Sequence, residues 1–133
     1  MIDPTVAVRI ARPSRDLAAV ERFYVEGLGL DVLYRAAGET PGEHDLVMLG
    51  WPGASWHLEL VAGPGVPEPA PTPEDLLVLY LAAPVDDGIL ERLERAGGKR
   101  VSQGEYWDRW GVAVEDPDGY RLVLSTRSWS NDA

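Results

Sequence analysis

The sequence predicts an α+β fold built from two copies of a β-α-β-β-β module. Three observations lead to this prediction. The same order of strand-like and helix-like segments occurs twice, a proline-rich stretch separates the copies, and 133 residues suit a single domain. We place module 1 at residues 5–61, a linker at 62–74, module 2 at 75–125 and a polar tail at 126–133.

Module 1 begins with a β-rich run that predicts a strand at residues 5–11. Apolar residues then recur at helical spacing from Leu17 to Leu28, after the candidate N-caps Ser14 and Asp16. A polar loop at residues 36–43 follows the next strand, and His44 beside it is interpreted as solvent-exposed. The remaining strands of module 1 are predicted at residues 30–34, 45–49 and 56–61.

The linker is defined by its prolines, five of which fall between residues 62 and 74. Proline removes a backbone donor and fixes φ, so this density favours an extended spacer that spans roughly 40 Å at about 3.1 Å per residue. We interpret the segment as a plain linker. A proline-rich ligand for another domain is the alternative, but the segment lacks a basic anchor.

Module 2 repeats the order of module 1. Its strands are predicted at residues 76–81, 99–102, 111–115 and 120–125, and its helix at residues 85–96. Asp86 and Asp87 suit the N-terminal end of that helix, where a negative charge is favourable. An aromatic loop, 106–110, precedes the third strand, and the Asp-Pro-Asp-Gly run at 116–119 predicts a type I turn before the last one.

Composition excludes several function classes. The chain has no Cys and only two His, His44 and His57, so thiolate chemistry and a three-His metal site are excluded. A formal charge of −10 repels phosphate backbones and argues against nucleic acid as a partner. The sequence has no apolar run of membrane-spanning length and no basic-then-apolar signal segment, so we expect a cytoplasmic protein with no membrane partner.

Two motifs carry a resemblance to a known family. A helix that ends in Gly-Leu-Gly-Leu (27–30) and the later run Glu-Asp-Pro-Asp-Gly-Tyr-Arg-Leu (115–122) resemble the vicinal oxygen chelate superfamily of glyoxalase I, extradiol dioxygenases and bleomycin-resistance proteins. The resemblance covers about residues 6–124. It implies a cupped, mixed and mostly antiparallel sheet with a ligand in the cup, and a homodimer. Whether the modules pair within one chain or between chains stays open.

The resemblance also implies metal ligands on the first and last strands of each module. The four positions fall at Arg9, at Glu59, at Leu76 or Leu77, and at Val123. A guanidinium is permanently charged and cannot coordinate a cation. At most one of the four ligands remains, so we predict no metal cofactor.

Arg9 and Glu59 are instead predicted to form a bidentate ion pair across the cup, either structural or ligand-binding. His57 shares a strand face with Glu59, because side chains alternate along a strand. A divalent metal held by Glu59 and His57 is the weaker alternative. Another hypothesis makes His57 a general base, but a hydrogen-bonding role is preferred, so the catalytic residues stay unknown.

Aromatic residues supply the other candidates for ligand binding. Trp107, Arg109 and Trp110 lie in the predicted loop, where flat rings suit a planar or cationic ligand if the loop overhangs the cup. Packing on the sheet edge or a dimer interface is the alternative. Tyr80 joins this set only if Leu76, rather than Leu77, faces the cup.

The sequence therefore predicts a metal-independent protein that binds a small molecule, aromatic or cationic, in the cup of the sheet. Two alternatives stay open: a metal-dependent glyoxalase-like lyase, isomerase or dioxygenase with a rearranged site, and a structural or regulatory dimer without a small ligand.

Overall fold

The computed structural model describes residues 1–40 and 42–132. Pro41, in the predicted loop of module 1, and Ala133, at the end of the predicted tail, lie outside the described residues. The chain forms two β-α-β-β-β modules with one four-stranded sheet each, which confirms the predicted α+β fold. Within the described residues, no helix is long and apolar enough to cross a membrane.

Module 1 has strand order β1-β4-β3-β2, in which β1 runs parallel to β4 and the other neighbours are antiparallel. Asp16 is the N-cap of the first helix, since its Oδ1 accepts a hydrogen bond from the Ala19 N–H at 3.2 Å. That helix widens after one turn and a half into a π-helical segment, which ends at Gly29 with φ 92°. The elements are β1 (Val8–Pro13), α1 (Leu17–Arg22), the π-helical segment (Phe23–Leu28), β2 (Asp31–Ala36), β3 (Asp45–Gly50) and β4 (Trp56–Ala62).

Module 2 repeats this topology with strand order β5-β8-β7-β6 and a parallel β5–β8 pair. Asp86 caps the second helix by accepting from the Gly88 N–H at 2.7 Å. The predicted turn is present, because the Gly119 N–H donates to the Asp116 carbonyl at 2.9 Å. The elements are β5 (Leu76–Tyr80), α2 (Asp87–Arg95), β6 (Lys99–Val101), α3 (Glu105–Trp110), β7 (Gly111–Glu115) and β8 (Arg121–Ser125).

Two predicted segments differ from the structure. The first strand begins at Val8 rather than at residue 5, because Asp3 accepts hydrogen bonds from the Thr5 N–H and hydroxyl and fixes a turn there. The aromatic loop before β7 is the short helix α3. Asp108 holds the start of α3 by accepting from the Ser102 hydroxyl and the Gln103 N–H.

One hydrophobic core runs through both modules. It contains Phe23 and Tyr24 of the π-helical segment together with Leu58 of β4, Leu93 of α2 and Leu122 of β8, all fully buried. The modules therefore pack against each other within one chain.

The opposite side of the first sheet forms the cup face of module 1, defined here by Arg9, Ala11 and Pro13 of β1 and His57, Glu59 and Val61 of β4. These residues pair across the two strands as Arg9 with His57, Ala11 with Glu59 and Pro13 with Val61. Leu58 and Leu60, which alternate with them, point into the core.

The linker, called the strap below (residues 62–74), begins at the last residue of β4, turns between Gly63 and Val66, and is attached to both modules. The His44 Nε2 lies 3.0 Å from the Pro64 carbonyl oxygen, and the Gln103 side-chain amide donates to the Pro73 carbonyl at 2.7 Å. Between these points, the Arg15 guanidinium donates to Glu68 at 2.9 Å. The plain-spacer interpretation is therefore incomplete, because the strap is part of the folded surface.

Candidate functional site

The centre of the cup face of module 1 is a compact polar cluster. The Arg9 Nη1 lies 3.0 Å from the Glu59 Oε2, and the Arg9 Nε donates to the His57 Nε2 at 3.1 Å. The Arg9 Nη2 approaches the Met48 sulfur at 3.6 Å. The predicted ion pair is present, but it is not bidentate, because the guanidinium divides its donors among three partners.

The contact with Arg9 orients the ring of His57. Since the Arg9 Nε can only donate, the His57 Nε2 is the acceptor in this hydrogen bond. The Glu59 side chain is only 14% exposed while that of Arg9 is 50% exposed, so the carboxylate is the enclosed partner. Arg9 thereby supplies the countercharge that a partly buried carboxylate requires.

The four positions at which the resemblance implies metal ligands do not fit a metal ion. Leu76 pairs with Arg121 and shares the face of Val123, which settles the register in favour of Leu76 over Leu77, a core residue. Leu76 and Val123 have no donor atom, and Arg9 is a cation. Among the residues the structure describes, no three His, Asp or Glu side chains form a group that could hold a metal ion.

An apolar pocket of about 280 Å³ adjoins this cluster on the same face. Ala11, Pro13 and Val61 of the cup face form its floor, and residues 65–67 of the strap line it from above. Arg12 and His44 also line the pocket. A second, more polar groove of about 370 Å³ lies on the other side of β1, toward the start of β5, and is lined by residues that include Arg12, Asp75 and Tyr120.

The predicted aromatic residues lie on module 2. Tyr80 shares a strand face with Leu76, and its ring centre is 6.4 Å from that of Trp129. Trp107 packs edge-on against Tyr106.

Trp110 is already engaged by cations, since the guanidinium carbons of Arg109 and Arg127 lie 4.9 and 4.5 Å from its ring centre. The structure thus brings Arg9, His57 and Glu59 together, and groups Arg109 with Trp110 elsewhere.

Comparison with known proteins identifies the family. The YycE-like N-terminal domain matches residues 8–61, and the YycE-like C-terminal domain matches residues 74–126. The chain belongs to the YycE-like family. YycE of Bacillus subtilis (strain 168) is 40% identical over 122 residues, which cover 88% of this chain and 85% of that protein.

Solved structures agree with this YycE-like assignment. The crystal structure of YycE from Bacillus subtilis superposes with a TM-score of 0.82 at 34% identity, covering 97% of this chain and 95% of that one. TnmS3, an antibiotic binding protein from Streptomyces sp. CB03234, is 25% identical, with a TM-score of 0.65 and coverage of 96% and 99%.

Glyoxalase I of Leishmania major shares the fold at 21% identity, with a TM-score of 0.67 and coverage of 88% and 83%. The similarity to YycE and to TnmS3, together with this shared fold, confirms the resemblance to the vicinal oxygen chelate superfamily.

Sequence reasoning missed the pocket-lining residues of this YycE-like chain. Val66 and Pro67 lie in the segment interpreted as a spacer, and His44 was interpreted only as a solvent-exposed residue. His44 is exposed, but it also connects its loop to the strap through Pro64. The one available signal was the prolines themselves, since a segment of fixed φ makes a rigid wall as readily as a spacer.

Proposed function

We propose that this YycE-like protein binds an organic small molecule on the cup face of module 1 without a metal ion. One observation carries the proposal. Where the resemblance implies metal ligands, the Arg9 guanidinium neutralises Glu59 and orients His57. Because Arg9 already supplies the positive charge beside Glu59, this carboxylate needs no metal ion as its counterion.

The surroundings of the cluster support ligand binding. A polar cluster beside an apolar pocket matches the usual composition of small-molecule sites, in which apolar walls supply affinity and a few polar groups fix orientation. The description of TnmS3 as an antibiotic binding protein agrees with this use of the fold. The net charge of −10 favours a cationic ligand over an anionic one.

A compound panel tests the proposal by thermal shift, because a molecule that binds only the folded chain raises its Tm. We expect at least one compound to raise the Tm equally in chelator and in added zinc, manganese or nickel. Arg9→Met and Glu59→Gln should reduce that shift. Arg22→Met should not, because it removes an exposed ion pair with Glu26 and a hydrogen bond to the Arg95 carbonyl, both away from the cup face. A shift or a turnover that appears only with metal would instead support the metal-dependent enzyme.

We further propose a homodimer. The edge strand β2 exposes the consecutive apolar residues Val32, Leu33 and Tyr34, and an unpaired apolar edge invites association. Sedimentation velocity tests this directly, and Leu33→Lys should shift the protein toward monomer. A monomeric wild-type chain at micromolar concentration would contradict the proposal.

A further inference from the structure

We infer that the pocket between the cup face and the strap seats a compact, uncharged ring of the ligand, and that Val66 determines which rings fit. The inference rests on the proposed function and specifies the ligand group involved. It also makes the strap a binding element, beyond its part as the connection between the modules.

The floor and the outer wall of the pocket favour an apolar group of the ligand. Both consist of side chains without polar atoms: Ala11, Pro13, Val61, Val66 and Pro67. The two prolines lack an N–H, and the Val66 N–H is already donated to the Gly63 carbonyl at 3.1 Å. A polar group placed here would lose water without replacing its hydrogen bonds, whereas an apolar ring gains by leaving water.

The two polar residues at the pocket are occupied elsewhere. The Arg12 Nη1 donates to the Tyr24 hydroxyl at 3.3 Å, and its guanidinium carbon lies 4.5 Å from the centre of the Tyr120 ring. The His44 Nε2 is directed to the Pro64 carbonyl. The Arg12 guanidinium and the His44 Nε2 are therefore directed away from a ligand group that lies over Ala11.

The size of the pocket indicates one ring system. Its 280 Å³ falls just below the roughly 300–1,000 Å³ of complete ligand sites, so it holds part of a ligand rather than all of it. Glu59 lies two residues from Val61 on the same face of β4, about 7 Å along the strand. A polar substituent on the ring therefore reaches the Arg9–Glu59 pair.

The strap is fixed on both sides of Val66. On one side His44 contacts the Pro64 carbonyl, and on the other Arg15 donates to Glu68 while Pro69 is buried. Because prolines also restrict the backbone between these points, the wall is ordered before a ligand arrives, which lowers the entropic cost of binding. His44 acts here as a positioning residue for Val66.

The test uses 2-naphthylmethanol as probe, with calorimetry for affinity and methyl chemical shifts for location. We expect saturable binding with shifts at Ala11, Val61 and Val66. Val66→Trp fills the pocket and should weaken binding by more than about tenfold. Val8→Trp is the matched control, since Val8 lies on the opposite face of β1 and is 49% exposed, and it should bind normally.

Two further variants keep the inference testable if Val66→Trp does not fold. Val66→Ala removes about one methylene's worth of ligand contact and should weaken binding by roughly fourfold. His44→Ala should weaken binding, and His44→Gln, whose amide still donates to Pro64, should restore it.

If the probe binds all Val66 variants alike, the ring lies elsewhere and the inference fails, while cup-face binding stands. If the wild-type chain does not bind the probe at millimolar concentration, the inference fails whatever the compound panel shows.

Discussion

At Arg9, a permanent positive charge lies 3.0 Å from the Glu59 carboxylate on a face where the superfamily resemblance implies a metal ion. The guanidinium side chain is half exposed, and ion pairs of that kind add about 0–1 kcal/mol to the free energy of unfolding. Stability is therefore a weak reason for this pair. Its stronger effect is on the site, because Arg9 holds the Glu59 carboxylate and the His57 ring in place where a ligand would meet them.

Ala82 gives a prediction at the same scale. It is the one non-glycine residue with positive φ among the described residues, at 53°, and its N–H donates to the Arg127 carbonyl after β5. The left-handed region costs a side chain about 1–2 kcal/mol, and glycine avoids that cost while adding entropy to the unfolded chain. Ala82→Gly should therefore raise the free energy of unfolding in urea by about 0.5–1 kcal/mol. The neighbouring Ala83→Gly, also exposed but with negative φ, should lower it; a loss in both variants would show that Ala82 is unstrained.

At the scale of elements, what the sequence could predict depends on how local each cause is. The helix caps Asp16 and Asp86 and the alternation along β4 act within a few residues, so the helix starts and the strands were predictable. The Arg9–Glu59 contact joins distant parts of the chain, and it was predictable only because the family resemblance implies that both positions belong to one site. The helix α3 was not, because one side chain, Asp108, holds a segment too short to show periodicity.

The pocket was not predictable for a different reason. The strap becomes its wall only through partners distant in the chain: His44 lies 20 residues before Pro64, and Arg15 lies 53 residues before Glu68. No local pattern of residues records such contacts, although the prolines of the strap showed that the segment is stiff.

Gly27 gives the prediction for the contact between helices. A Cβ atom at this position would lie 2.9 Å from the Leu93 Cδ2 and 3.2 Å from its Cα, so the π-helical segment approaches α2 more closely than a side chain permits. Gly27→Ala should therefore lower the free energy of unfolding by about 1–3 kcal/mol, although alanine is the better helix former.

Urea unfolding in a double-mutant cycle with Leu93→Ala measures this contact. Shortening Leu93 relieves the closest clash, so Gly27→Ala should cost less in that background. Equal costs in both backgrounds would show that the close approach does not limit this position.

At the scale of the whole molecule, a buried polar link accompanies the shared core. The Tyr24 hydroxyl of module 1 donates to the Asp116 Oδ2 of module 2 at 2.7 Å, and the other carboxylate oxygen accepts from the N–H groups of Asp118 and Tyr120. Burial raises the pKa of the Asp116 carboxyl above its usual 3.8, although the hydrogen bond from Tyr24 opposes that rise. Burial and the adjacent Asp116 charge likewise raise the pKa of the Tyr24 hydroxyl well above 10.0.

The raised pKa of Asp116 makes the stability of both modules depend on pH. Between 3.8 and the raised pKa, the folded chain keeps a proton that the unfolded chain has lost, so the free energy of unfolding falls as pH rises through that window. One group contributes at most about 1.4 kcal/mol per pH unit. Urea unfolding as a function of pH should show this fall in the wild-type chain, and a smaller one in Asp116→Asn. Tyr24→Phe removes the bond that favours the carboxylate and should extend the fall to higher pH. If the free energy of unfolding depends on pH in the same way in the wild-type chain and in Asp116→Asn, Asp116 does not hold an additional proton in the folded chain.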